Sequence, residues 1–204
     1  MISPSLSETM MLAELFAAGR LFVLQPGEAL FLQGDPADRV FLIERGRVRM
    51  VRHLASGDAV AVHTGRAGEL FAEGALFASA YQCDGLAAEA AAVRACAKAD
   101  VLASFTTSPS LALQMLERVT RQLHTARTLI ELRDVRSAEE RVLRHLQLRA
   151  DTTGIVALEG PLLDIAAELG LTHEAYYRAL AALARKGLIQ RDPRRVQILE
   201  SAQP

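Results

Sequence analysis

The chain has 204 residues, half of them hydrophobic, with 23 Lys+Arg against 24 Asp+Glu. That length holds one large domain or two small ones with an adequate core, and the balanced charge excludes a protein that coats nucleic acid over its whole surface. No run of about 18 apolar residues exists to form a membrane-spanning helix, and Cys83 and Cys96 give neither a disulfide framework nor a CxxC pair.

In chain order, Met11, Leu12, Leu15 and Phe16 fall on one face of a short helix over 9–18. From Arg20 to about Phe105, short apolar runs alternate with Gly, Pro and Asp: 21–24, 29–32, 40–43, 48–51 and 60–63. Evenly spaced short strands separated by turn residues predict a β-sandwich or barrel. The alanine-rich run 87–92 is not a low-complexity linker. A long helix follows over 109–134, with Pro109 suited to its first turn. Leu116, Leu123 and Ile130 recur every seven residues, and Ala112, Val119 and Ala126 complete an a/d seam. Leu113, Leu129 and Leu132 lie off the seam, so one face can meet a second copy while another packs on its own domain. The alternative is one amphipathic helix packed entirely within its own chain.

After a break at 134–136, Ser137-Ala-Glu-Glu140 forms a capping box, with the serine oxygen on a terminal amide and Glu140 reaching back. That helix runs to about Ala150, and 155–158 is a short strand. A helix over 161–168 leads into Leu169-Gly170-Leu171, a sharp turn, and Thr172 caps a second helix to about Arg185. Strands at 187–189 and 196–198 flank a basic turn, Arg191-Asp192-Pro193-Arg194-Arg195. The pattern is a helix-turn-helix with a wing. Residues 171–195 hold 6 basic and 2 acidic residues, a net of +4, whereas 1–107 hold 9 basic and 12 acidic, a net of −3. A local basic footprint on a near-neutral chain suits DNA contact by one element. In such a motif the start of the second helix meets base edges in the major groove. Thr172, His173, Glu174, Tyr177 and Arg178, with Arg191, Arg194 and Arg195 of the wing, are the candidate contacts. Arginine grips guanine bidentately and glutamate accepts from cytosine. Tyr176 is read as a backbone contact beside Tyr177. The alternative is an ordinary helical hairpin with a solvated charged face, against which the capped helix, the wing and the local +4 charge weigh.

These stretches, in this order, resemble the family of the cyclic-AMP receptor protein and the fumarate-nitrate reduction regulator. The resemblance rests on Phe31-Leu-Gln-Gly34, Phe41-Leu-Ile-Glu-Arg-Gly46, the run from Gly68 to Phe77, Ser137-Ala-Glu-Glu-Arg-Val142, and the run from Asp164 to Leu180. It implies an α+β protein: an N-terminal cyclic-nucleotide-binding-like jelly roll over 1–107, a dimerisation helix and hinge over 108–136, and a winged helix-turn-helix over 137–204. It also implies a bacterial, cytoplasmic, homodimeric regulator whose partners are a near-palindromic duplex and RNA polymerase. The family reads guanines and their paired cytosines with an Arg-Glu-x-x-x-Arg pattern. This chain offers His173, Glu174 and Arg178, so the outermost base loses its arginine.

The effector pocket implied by the resemblance comprises Gly68, Glu69, Phe71, Ala72, Glu73, Cys83 and Asp84. In the cyclic-nucleotide branch a loop carries Gly-Glu and then an Arg-Ser or Arg-Thr pair. Glu73 matches the ribose-binding glutamate, but Ala72 replaces the glycine, and Cys83 and Asp84 replace the phosphate-binding pair. Losing the guanidinium fork removes the main attraction for phosphate, and Asp84 adds a repulsion of roughly a kcal/mol or more. Weak or no cyclic-AMP binding is expected. Glu73 can also be a structural carboxylate accepting barrel amides. An iron–sulfur cluster needs about four cysteines and is excluded. A haem ligand is available among His53, His63, Cys83 and Cys96, though lone His and Cys are more often surface or core residues. A thiol switch at Cys83 is opposed by Asp84, which raises a neighbouring thiol pKa. An unidentified small apolar or anionic effector, or none, remains open. A rival reading makes the chain an effector-binding module whose helix-turn-helix contacts only proteins. No nucleophile–base pair, metal cluster or P-loop spacing supports an enzyme.

Overall fold

A computed structural model describes residues 15–54, 57, 59–158, 160–192 and 195–199. The chain divides between Arg118 and Val119 into two compact units.

The first unit is a sandwich of two antiparallel sheets. One orders β1 (Arg20–Leu24), β8 (Ala91–Ala97), β3 (Arg39–Arg45) and β6 (Leu70–Phe71); the other orders β2 (Ala29–Phe31), β7 (Asp84–Ala87), β4 (Arg47–His53) and β5 (Ala59–Arg66). An aromatic cluster fills the space between them. Phe31 stacks on Tyr81 at 3.9 Å and on Phe41 at 5.5 Å, with Phe71 beside them. The rings explain the small residues opposite: a Cβ on Gly85 would stand 2.7 Å from the Phe31 ring. They also explain the alanine-rich run. Ala87, Ala91 and Ala95 are buried strand residues whose small side chains leave the interior volume to the rings. Of the expected N-terminal helix, Leu15–Ala17 are helical and Phe16 is buried, while Met11 and Leu12 lie outside the described residues.

The strand-rich reading to Phe105 overran. Helix α1 (Lys98–Thr107) begins where β8 ends. Its N-cap, Ala97, makes no side-chain cap bond, so the usual start signal is missing. Helix α2 spans Pro109–Asp134, the bounds expected from the heptads. Leu111 and Met115 are buried in a core with Phe16, Val40, Leu70 and Val101.

In the second unit, α3 (Ala138–Arg149), α4 (Leu162–Glu168) and α5 (His173–Arg185) pack on a sheet ordered β10 (Ile189–Asp192), β11 (Arg195–Ile198) and β9 (Ile155–Ala157). Leu132, near the end of α2, belongs to this core with Val142, Leu146, Ile165, Leu180 and Val196. Two expectations change. Ser137 accepts the Glu140 amide, but the Glu140 carboxylate turns to Arg144 at 2.7 Å rather than back along the chain, the i,i+4 pairing that a helix surface favours. The wing strands run closer to the turn than expected: β10 starts at Ile189, with Gly187 and Leu188 before it, and takes in Arg191 and Asp192, with Asp192 facing Arg195 across the hairpin.

Candidate nucleic-acid interface and effector pocket

Helix α5 is started and stopped by local chemistry. The Thr172 hydroxyl accepts the Ala175 amide at 3.2 Å, satisfying one orphan donor of the first turn. Before it, α4 ends in a Schellman turn: Leu171 N donates to Ala166 O and Gly170 N to Ala167 O. Gly170 supplies the required left-handed conformation at φ +64°. The chain can therefore reverse in three residues and begin a capped helix.

The faces of α5 are cleanly divided. Tyr176, Ala179, Leu180, Ala182 and Leu183 are buried, whereas Thr172, His173, Glu174, Tyr177, Arg178 and Arg185 are exposed. Tyr176 has no exposed surface, so it is a core residue and not a backbone contact. Its hydroxyl has no hydrogen-bond partner among the described residues, and burial pushes its pKa up to about 12. The tyrosine periodicity settles the matter: Tyr176 shares a face with Leu180 and Leu183, Tyr177 with His173.

The exposed candidates hold one another in place. The His173 and Tyr177 rings meet at 4.5 Å, and the Arg191 guanidinium lies 5.7 Å over the Tyr177 ring. Arg191, expected in the turn of the wing, instead reaches from β10 to brace Tyr177 as a cation–π partner. Glu174 receives its own backbone amide and the Thr172 hydroxyl, which hold its carboxyl below the usual carboxylate range. It is an acceptor at neutral pH. Arg178 is exposed with no hydrogen-bond partner among the described residues. Arg195 donates to Asp192 at 2.7 Å, which offsets part of its charge. Arg194 lies outside the described residues.

The seam positions face solvent. Leu116, Val119, Leu123 and Ile130 are 42–62% exposed, Ala126 is exposed and Ala112 half-buried. Off-seam Leu132 is buried and Leu129 half-buried, whereas Leu113 is exposed.

The effector-pocket candidates do different things. Gly68 and Glu69 build the turn between β5 and β6, where the Glu69 carboxylate accepts the Arg66 amide at 3.0 Å. Phe71 belongs to the aromatic core. Ala72 is left-handed at φ 63°, ψ 34°, the conformation glycine adopts freely and alanine at a cost of about 1 kcal/mol. Glu73 is half-buried in a 3-10 turn over Glu73–Phe77. Cys83 is buried, its sulfur 3.6 Å from an Arg52 guanidinium nitrogen. The buried Asp84 accepts the Gln33 amide at 2.7 Å and meets His53 Nε2 at 2.7 Å. The backbone bond from Gln33, followed by His53, holds the Asp84 carboxyl below its ordinary range. The Asp84 carboxylate is thus ionised and engaged by a backbone amide and an imidazole. Of the residues weighed as haem ligands, His53 is engaged by Asp84, His63 lies against Phe71, and Cys96 is buried with its pKa raised by desolvation and by Asp100.

Comparison with known proteins gives a consistent picture. Residues 21–108 match the cyclic nucleotide-binding domain. The chain is 30% identical over 183 residues to the cyclic AMP receptor protein of Thermus thermophilus, covering 86% of this chain and 82% of that one. It is 27% identical over 175 residues to electron transport regulator A of Shewanella oneidensis, covering 82% and 70%. The solved structure of FixK2 from Bradyrhizobium japonicum shares the fold at a TM-score of 0.69 and 22% identity, covering 89% of this chain and 92% of that one.

Proposed function

Because the chain belongs to the cyclic-AMP receptor protein and fumarate-nitrate reduction regulator family of transcription regulators, we propose that it acts as a homodimer that reads a near-palindromic duplex through α5. The observation that most supports this is the division of α5. One face is buried in the core, and the other presents Thr172, His173, Glu174, Tyr177 and Arg178 as a stripe beginning at a capped N-terminus. In this reading Arg178 grips guanine and Glu174 accepts from cytosine. Tyr177 is held by His173 and Arg191 for a contact near the backbone, while Arg194 and Arg195 meet phosphates. Two copies joined along Ala112, Leu116, Val119, Leu123, Ala126 and Ile130 present two such stripes to half-sites about 34 Å apart. The exposure of the larger four apolar side chains in one chain supports that pairing, since each contributes about 1.5–3 kcal/mol when fully buried.

On the effector side the proposal is a receptor that does not use cyclic AMP. Cys83 has no charge to offer a phosphate, and Asp84 carries the wrong one. Selection from random duplexes at physiological salt tests the central reading. Enrichment of a near-palindrome with G·C pairs at symmetric positions is expected. A pool that never converges would overturn it and leave a module working through protein contacts.

A further inference from the structure

Two arginines outside the DNA-facing stripe converge on the turn that precedes it. Arg133, in the last turn of α2, donates from Nε to Glu168 O at 3.2 Å and from Nη2 to Ala167 O at 3.3 Å. Arg141, on α3, donates from Nη1 to Leu169 O at 3.0 Å. It also reaches the opposite way, to Val135 O, at 3.1 Å from Nε and 2.6 Å from Nη2. At the negative end of the α4 dipole, Arg133 caps the Glu168 carbonyl and shares that of Ala167 with the Gly170 amide, while Arg141 caps the Leu169 carbonyl just past the helix. The Arg141 guanidinium also grips Val135, within the break at 134–136 that separates α2 from α3. Leu132 packs in the core with Tyr176 and Leu180 of α5, one residue before Arg133. The Arg133 side chain lies against Gly170, 3.5–3.7 Å from where a Cβ would stand. Three residues after Leu169, Thr172 opens the reading helix.

We propose that Arg133 and Arg141 are positioning residues that latch the α4–α5 turn to the end of α2, so that the seam helix itself, and not a free hinge, sets where α5 points. The break in the chain looks like a swivel, but two bonds from Arg133 cross it to the end of α4, two from Arg141 hold Val135 within it, and a fifth ties Arg141 to Leu169. Arginine suits the task because its planar fork serves two carbonyls at once. Lysine keeps the charge and loses the fork. The latch rests on the DNA-reading proposal only for its consequence. Its mechanical content is independent.

The test uses the full chain with Arg133→Ala, Arg141→Ala, both together, and Arg141→Lys. Spin labels at Thr125→Cys and Ala181→Cys, both on exposed positions of the second unit, report the α2–α5 distance in dimers diluted with unlabelled chain. A narrow distribution is expected for the parent and a broadened one for the alanine variants, with Arg141→Lys between them. In parallel, each variant is offered the selected duplex with its half-sites one base pair closer or farther. The parent should discriminate against the altered spacers. The double variant should lose about tenfold of that discrimination at a melting temperature within a few degrees of the parent. A merely structural role would lower affinity for all spacers alike. An unchanged distance distribution in the folded double variant, or in folded Arg133→Ala if the double variant does not fold, overturns the latch. If the parent selects no duplex, the DNA-reading proposal fails while the distance measurement still decides the latch.

Discussion

Acidification from pH 7 to pH 4 should weaken the winged-helix unit by an amount that His145 sets. This imidazole is 5% exposed on α3, and its Nδ1 has no hydrogen-bond partner among the described residues. Burial, followed by the charge of Arg149, lowers its pKa from 6.5 to about 4. In the unfolded chain the ring titrates at its ordinary value, so on descending pH the unfolded state takes up the proton first. The folded pKa lies below the unfolded one. Its contribution is therefore fully present above about 6.5, falls between 6.5 and 4, and is gone below about 4, where both states are protonated. The difference between 6.5 and about 4, at about 1.4 kcal/mol for each pKa unit, comes to roughly 3 kcal/mol. That is a large share of the stability of a domain this size. Chemical denaturation of the full chain at pH 7, 6, 5 and 4, followed by far-ultraviolet dichroism, reads the effect against His145→Leu. That variant cannot titrate and keeps an apolar side chain in the core. The gap between the two should move by roughly 3 kcal/mol in the variant's favour as the pH falls. A gap that is constant with pH, or an imidazole resonance that titrates near 6.5 in the folded protein, would refute the reasoning.

Arg178→Ala should cost about 1–3 kcal/mol of DNA affinity and relax one base preference in each half-site, read by gel shift on single-base variants of the selected duplex. Loss spread evenly over all sequences would make it a phosphate contact. Arg195→Ala should do the opposite, weakening every duplex alike and flattening the salt dependence of binding. Its slope change is expected to fall below that of an unpaired cation, because Asp192 already holds it. Leu123→Asp puts a charge into the seam and should yield monomers by sedimentation, with DNA affinity lost; a monomer that retains full affinity rules the seam out. Calorimetric titration with cyclic AMP should show no heat beyond dilution, and micromolar binding would overturn the reading of Cys83 and Asp84.

The periodicities carried the backbone well. Heptads placed α2 at its observed ends, and Thr172, Gly170 and the apolar spacing placed the helix-turn-helix, because caps, turns and amphipathic faces are local and leave their mark within a few residues. Signals failed where local rules are silent. The start of α1 has no capping side chain, and the alanines of β7 and β8 carry no strand preference of their own. Their place in the sheets follows from rings contributed by Phe31, Phe41 and Phe71, tens of residues away. The core place of Tyr176 was legible in its spacing to Leu180 and Leu183, but the bracing of Tyr177 by His173 and Arg191 came only with the fold.

By itself, the sequence determined which segments are helices and strands around the reading motif, which face of α2 is apolar, and which family of regulators the chain resembles. These are properties of neighbouring residues and of motif order. Only the tertiary structure decided that Asp84 is bound by Gln33 and His53, that Arg191 braces Tyr177, and that Arg133 and Arg141 fill the carbonyls at the end of α4. Each joins groups far apart in the chain, and the partner of a charged or polar side chain is chosen by what burial brings within hydrogen-bonding reach, a choice that no local spacing encodes.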